Sequence, residues 1–253
     1  MAITRLRSAA LAAMGLTLMH MAGADAAELK IFGSRVTRMV IDDIGPAYTQ
    51  ATGNKLTVIT DVAAVMKRRI EGGEPFDIAV LVNFQADDLI KKSKLIADTR
   101  AAVMRAGIGV AVKRGAPKPD ISTVAAFKQA LLAAKSIVYL KEGASTLHLE
   151  KVLAQLGIVD ALKAKTTKTA GEAVSEMVAA GEAEIGIIVI PNILSVPGAE
   201  LVGPLPGELQ NIIVYATGLA PGSGQSGSAR ALVAFMATPE VVRMIRAKGM
   251  EPG

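Results

Sequence analysis

The chain of 253 residues contains no cysteine and no tryptophan, and only three tyrosines, five phenylalanines and two histidines. The missing cysteine excludes thiol nucleophiles, thiolate metal sites and disulfide staples, so stability must come from an ordinary hydrophobic core. With so few rings to stack on bases, and a charge spread along the chain, nucleic acid is not an expected partner. Only His148 remains once the N-terminal segment is set aside, and no spaced carboxylate cluster accompanies it, so neither a metal nor a cofactor is implied. A GxSxG elbow and a P-loop are also absent, and the glycines of "GSGQSG" (Gly222, Gly224, Gly227) read as a flexible turn rather than a phosphate cradle, since no strand-to-helix Lys-Ser/Thr follows. Beyond the N-terminus no run reaches the roughly 18 uninterrupted apolar residues of a membrane span.

The N-terminus has a separate logic. Arg5 and Arg7 precede an apolar stretch from Ala9 to Met19, and Ala24-Asp25-Ala26 follows as a small-x-small site. That order is expected of an export signal, residues 1–26, cleaved near Ala26/Ala27. The periplasm is the expected location, with no membrane insertion after cleavage. Removing Arg5, Arg7 and Asp25 from 28 basic and 23 acidic residues leaves 26 against 22. This mild positive balance suits a small anionic ligand.

Strands and helices alternate along the rest. "ELKIFG", "LTVIT" and "FDIAVLV" read as strands, with helices over 36–48, 64–70 and 87–92 between and after them. "FDIAVLV" is apolar enough to be buried on both faces. "AGIGVAV" is a further strand, and the βαβαβ opening predicts an open α/β sheet with right-handed crossovers. After "KRGAPKPD" the pattern restarts. Ser122 or Thr123 caps a helix through Lys135, and Ser136 to Leu140 forms a strand. Leu149, Val152, Leu153 and Leu156 then recur at helical spacing and Gly157 stops the helix. Thr169 to Ala180 reads as a helix, "AEIGIIVI" as a buried strand and 191–206 as loop. "NIIVYATGLA" is a strand, "PGSGQSGS" a turn, and 229–248 a helix pair broken near Pro239.

Two α/β units with a closing strand predict a bilobed α/β protein. The first lobe is expected over 27–112 and 213–253, the second over 113–212, with "GIGVAVKRG" and "IVYATGLA" as crossing strands. Ligands in open α/β sheets bind beyond the carboxyl ends of strands, and an interlobe cleft gathers those ends.

The candidate site residues stand at those ends. Ser34 could cap a helix and offer its hydroxyl, with Arg35 presenting a planar fork to an oxyanion; a plain cap beside a solvated arginine is the alternative. Thr60 and Asp61 end the second strand, where Asp61 could equally cap the next helix. Asn83 ends the third strand and supplies a neutral donor. In the second lobe Lys141, Ser145 and Thr146 follow a strand into a helix, where free N–H groups favour an anion; Ser145 as a mere cap is the alternative. His148 is expected on the polar face with Lys151 and Gln155.

"ATGNKLTVIT", "IEGGEPFDIAVLV", "VKRGAPKPDISTVAAFKQALLAAKSIVY", "GEAEIG" and "VGPLPGELQ" together resemble the type II periplasmic solute-binding proteins, in their molybdate-binding branch. The same segments resemble periplasmic aconitate isomerases. The resemblance implies a two-lobed fold, a small anion as ligand (an organic carboxylate or an oxyanion such as molybdate), delivery to an ABC-type membrane permease, and a monomer. It also implies, as the alternative activity, isomerisation of a tricarboxylate; that chemistry needs a base, for which Asp61, Glu142 or His148 could be proposed but none is compelling. Where molybdate binders have a serine-bearing second loop, this chain has Thr60-Asp61-Val62-Ala63-Ala64. Where isomerase-like relatives carry a Ser-Asp and a Gln-Gln pair, it has Leu140-Lys141 and Ile188-Val189. No catalytic residue is therefore expected.

Overall fold

A computed structural model describes residues 26–170 and 173–253. The export segment expected over 1–26 lies, but for Ala26, outside the described residues. The first unit is β1 (Glu28–Gly33), α1 (Arg35–Thr52), β2 (Lys55–Thr60), α2 (Ala63–Glu71), β3 (Ile78–Val82) and α3 (Asn83–Lys91). Strands β2, β1 and β3 are parallel, with Gly33 beside Thr60 and Ile31 beside Ile78. All five residues of β3 are buried, as its unbroken apolar run requires. Helix α1 buries Val36, Val40, Ile41, Ile44 and Tyr48 on one stripe and continues through Pro46 to Gly53, whose left-handed backbone closes it.

The second unit follows β4 (Ala102–Lys113) with α4 (Val124–Ala133), β5 (Ile137–Leu140), α5 (Ala144–Gln155), α6 (Val159–Lys163), β6 (Thr166–Thr169), α7 (Val174–Ala180), β7 (Ile185–Val189), α8 (Ile190–Leu194) and β8 (Ala199–Pro204). Thr123, not Ser122, caps α4, its hydroxyl accepting from the Ala126 N–H at 3.1 Å. The chain closes with β9 (Ile212–Leu219), α9 (Ser226–Met236), α10 (Pro239–Ala247) and the short β10 (Glu251–Pro252).

The strands order as β2-β1-β3-β9-β4-β7-β5-β6, with β8 and β10 also on β4. Ala102–Gly107 of β4 pairs with β9, and Ile108–Lys113 pairs with β7 and β8. One strand therefore changes partners midway and belongs to both halves of a mixed sheet, within the α/β architecture expected of the sequence.

Two expected elements are corrected. The helix expected from Thr169 begins at Val174, because Thr166–Thr169 pairs with β5 as strand β6, where β-branched threonines fit an edge. The stretch 191–206, expected as loop, contains most of α8 and all of β8. Pro191 sits in the first turn of α8, where a missing N–H removes no helical bond, and "AELVGP" lies along β4 with a bulge at Val110/Ala111.

Candidate functional site

Two turns set opposite walls of one cavity. At the first, a Cβ on Gly33 would fall 2.5 Å from the Thr37 side chain, so only glycine lets β1 meet α1 this closely. Ser34 then occupies the cap position of α1 in an extended conformation, yet its side chain makes no capping bond. Its Oγ is buried without a hydrogen-bond partner, the residue being 6% exposed. At the second turn Gly143 takes φ +143°, a region L side chains rarely adopt, and α5 starts beyond it. Ser145 is the second residue of that helix, buried, and it caps nothing. The cap position is Gly143, so the reading of Ser145 as a cap is corrected.

Two further strand ends complete the enclosure. Val62 and Ala63 stand at the start of α2, and Val189 leads directly into α8. Asn192 of α8 is 2% exposed, lines the cavity, and its Oδ1 has no hydrogen-bond partner. Val36, Val82, Leu140, Ile188, Ile213 and Tyr215 form the rest of the wall. The cavity offers about 40 Å³ to a water-sized molecule, several times the roughly 10–15 Å³ that one water requires.

The starts of α1, α2 and α5 meet at this cavity, each with backbone N–H groups that lack helical partners and a dipole that favours negative charge. Ser34 and Ser145 add hydroxyls. None of the described lining residues is charged. The arrangement can hold a compact anion by neutral donors, much as helix N-termini hold phosphate.

The charges lie at the edge. Arg35 pairs with Glu176 of α7. Arg68 of α2 donates from both terminal nitrogens to Glu142, one bond to each carboxylate oxygen, at 3.0 Å each. Hydrogen bonding to Arg68 holds the Glu142 carboxyl below its ordinary range, against a smaller opposing effect of burial.

Of the residues expected at the site, the structure brings Ser34 and Ser145 together in the cavity wall. Thr146 does not join them, because its Oγ1 donates to the Leu140 carbonyl at 2.9 Å. Thr60 and Asp61 sit beside the wall without lining it; Asp61 Oδ1 accepts from the Val62 N–H at 2.7 Å, and Val62 rather than Asp61 holds the cap position. Asn83 heads α3 and, with Phe84, Leu147, His148 and Lys151, lines an adjoining groove that shares Val82, Ala144 and Ile213 with the cavity. His148 Nε2 lies 2.8 Å from the Leu209 carbonyl, so its ring is anchored rather than freely solvated. Lys141 is exposed and outside the wall. Arg35 reaches Glu176 and is not among the lining residues. Sequence reasoning missed Asn192, Tyr215 and the Val62-Ala63 turn. The available signal was Pro191-Asn192 directly after a buried strand, the same grammar as Gly33-Ser34.

Residues 29–251 match the family model for bacterial extracellular solute-binding proteins, and the chain belongs to that family. Among curated proteins it is 32% identical over 218 residues to an aconitate isomerase of a Pseudomonas species, covering 84% of this chain and 83% of that one. Among solved structures it is similar to the periplasmic molybdate-binding protein of Azotobacter vinelandii. That likeness has a TM-score of 0.75 at 16% identity, covering 88% of this chain and 98% of that one. The sulfate-binding protein of Mycobacterium tuberculosis H37Rv is also similar, with a TM-score of 0.73 at 16% identity, covering 89% and 87%. At such identities these structures establish the type II binding-protein fold.

Proposed function

We propose that the protein is a periplasmic binding protein that holds a small anion in this cavity and delivers it to an ABC-type permease. The observation that carries the reading is the Ser34 hydroxyl, buried at the head of α1 without a partner and sharing a cavity with Ser145. A buried hydroxyl left unpaired costs about 1–3 kcal/mol, and a bound anion would recover that loss. The lobes, 27–112 with 213–253 and 113–212, would close about β4 and the start of β9, with the ligand's contacts favouring the closed form. Screening the protein by thermal shift against oxyanions and di- and tricarboxylates tests this, since a bound ligand stabilises by mass action. Stabilisation by a compact oxyanion or small carboxylate is expected; none by any of them would overturn the reading.

The aconitate isomerase relative motivates a second reading, isomerisation of a tricarboxylate on the same scaffold. Leu140, Ile188 and Val189 weigh against it, because three of the four positions where isomerase-like relatives carry polar groups are here apolar cavity wall. The candidate bases also have other engagements: Asp61 with the Val62 N–H, Glu142 with Arg68, and His148 with Leu209 in the adjoining groove. A base must reach the proton it removes. Ultraviolet absorbance with cis-aconitate should show no conversion to the trans isomer beyond the blank, and turnover would favour the second reading.

A further inference from the structure

We propose that Glu142 selects the charge class of the ligand: by holding Arg68 in a two-point ion pair at the edge of the cavity, it reserves the site for a compact oxyanion and turns away extended polycarboxylates. The inference rests on the anion-binding reading above and names the residue that would narrow it.

Glu142 immediately precedes Gly143 and Ala144, which line the cavity, and Arg68 stands on α2, whose first residue Ala63 also lines it. The pair thus links α2 to the turn between β5 and α5, the two elements that bring Ala63 and Ala144 to the cavity wall. A guanidinium with two nitrogens committed to one carboxylate presents no matching fork to a second carboxylate. Asp61 acts electrostatically on Arg68 and Lys141 acts on Glu142, so the charges on this side of the edge balance rather than leave a positive surplus. An approaching polyanion meets a guanidinium already committed to Glu142 there. Inside, it meets hydroxyls, amides and apolar wall, with none of the described lining residues charged.

A compact oxyanion of low charge needs only the neutral donors, which the starts of α1, α2 and α5 supply together with Ser34 and Ser145. Each additional buried charge raises the desolvation penalty steeply, and an extended tricarboxylate brings more of it than a compact oxyanion. Such a ligand calls for a cation. Arg68, on a helix that begins in the cavity wall, is one that removal of Glu142 would release.

Titration calorimetry with sulfate, molybdate and tricarballylate on the wild type, Glu142→Gln and Glu142→Gln/Arg68→Gln tests this, with thermal melts confirming that each variant is folded. Wild type should bind a compact oxyanion and tricarballylate far more weakly. Glu142→Gln should tighten tricarballylate by roughly tenfold or more, the yield of one charge-assisted hydrogen bond, and change oxyanion affinity much less. Adding Arg68→Gln should abolish the gain, which separates a freed arginine from a general change in field. Wild type binding tricarballylate as tightly as an oxyanion overturns the proposal, as does an equal gain for both ligand types in Glu142→Gln. If wild type binds neither oxyanion yet Glu142→Gln gains tricarballylate through Arg68, the oxyanion reading fails and the role of Glu142 stands. If wild type binds an oxyanion and Glu142→Gln gains nothing, the role of Glu142 fails and the oxyanion reading stands.

Discussion

The Thr146 hydroxyl donates to the carbonyl of Leu140 at 2.9 Å, bridging the turn that carries β5 into α5, while its neighbour Ser145 makes no capping bond. Two adjacent hydroxyls therefore have different work. Thr146→Val should lower stability by about 1–3 kcal/mol by leaving a buried carbonyl unpaired, with little change in ligand affinity. Ser145→Ala should leave the melting temperature nearly unchanged and weaken binding by the roughly 0.5–1.5 kcal/mol of a neutral hydrogen bond. Melts and titrations on both variants give the four values, and a large melting loss in Ser145→Ala would contradict the assignment.

Ser34 is the sharper case, because its hydroxyl is buried and unpaired. Ser34→Ala removes a desolvated group that gives nothing to the ligand-free fold. The ligand-free protein should melt at the same temperature or slightly higher, and anion affinity should fall by a few fold, about one neutral hydrogen bond. Differential scanning calorimetry with and without the ligand found by screening would read both effects.

Glycine at the two turns is a backbone requirement. Gly143→Ala places a side chain at φ +143°, and the strain should cost about 1–3 kcal/mol. Gly33→Ala instead drives a Cβ to 2.5 Å from Thr37, an overpacking conflict of about 1–3 kcal/mol. Denaturant unfolding of the two variants checks both. Gly143→Asn, which tolerates unusual backbone better than alanine only in the left-handed helical region, should not rescue.

Acid should loosen the edge of the cavity through Glu142. Its folded pKa is depressed, chiefly by the hydrogen bond to Arg68, from an ordinary value of 4.5. The pair's contribution is therefore present above about 4.5 and is lost as pH falls through the lower folded value. The melting difference between wild type and Glu142→Gln should hold steady from neutral pH down to that range, then shrink in stronger acid. With side chains 58% and 42% exposed, the pair's effect should also fade in high salt. A difference that widens on acidification would contradict this sign.

The alternation of strands and helices, and the two strand-to-helix turns at Ser34 and Ser145, were legible because each is a local pattern: an apolar run, a glycine, a hydroxyl, an apolar stripe. Side-chain direction was harder. Lys141 stands next to Leu140, and consecutive side chains at the end of a strand point to opposite faces, so Leu140 reaches the cavity and Lys141 reaches solvent. One step along a helix likewise separates Ser145 from Thr146. Asn192 was hidden because Pro191 reads as a loop marker as readily as a first helical turn. The Arg68–Glu142 pair has no local signature at all; its members are 74 residues apart and meet only through the sheet.

Strand β9 lies between β3 and β4, with Ile78 beside Leu219 and Arg105 beside Val214. The middle of the sheet is thus completed by nearly the last strand to be synthesised, across loops that must be closed against chain entropy. Until Ile212–Leu219 is available, β3 and β4 present facing unpaired edges, the kind of backbone surface that recruits other chains. A chain shortened to end before Ile212 should therefore aggregate rather than survive as an independent N-terminal unit, and the full-length protein should gain its cooperativity late, when the C-terminal strand slots into the gap held for it.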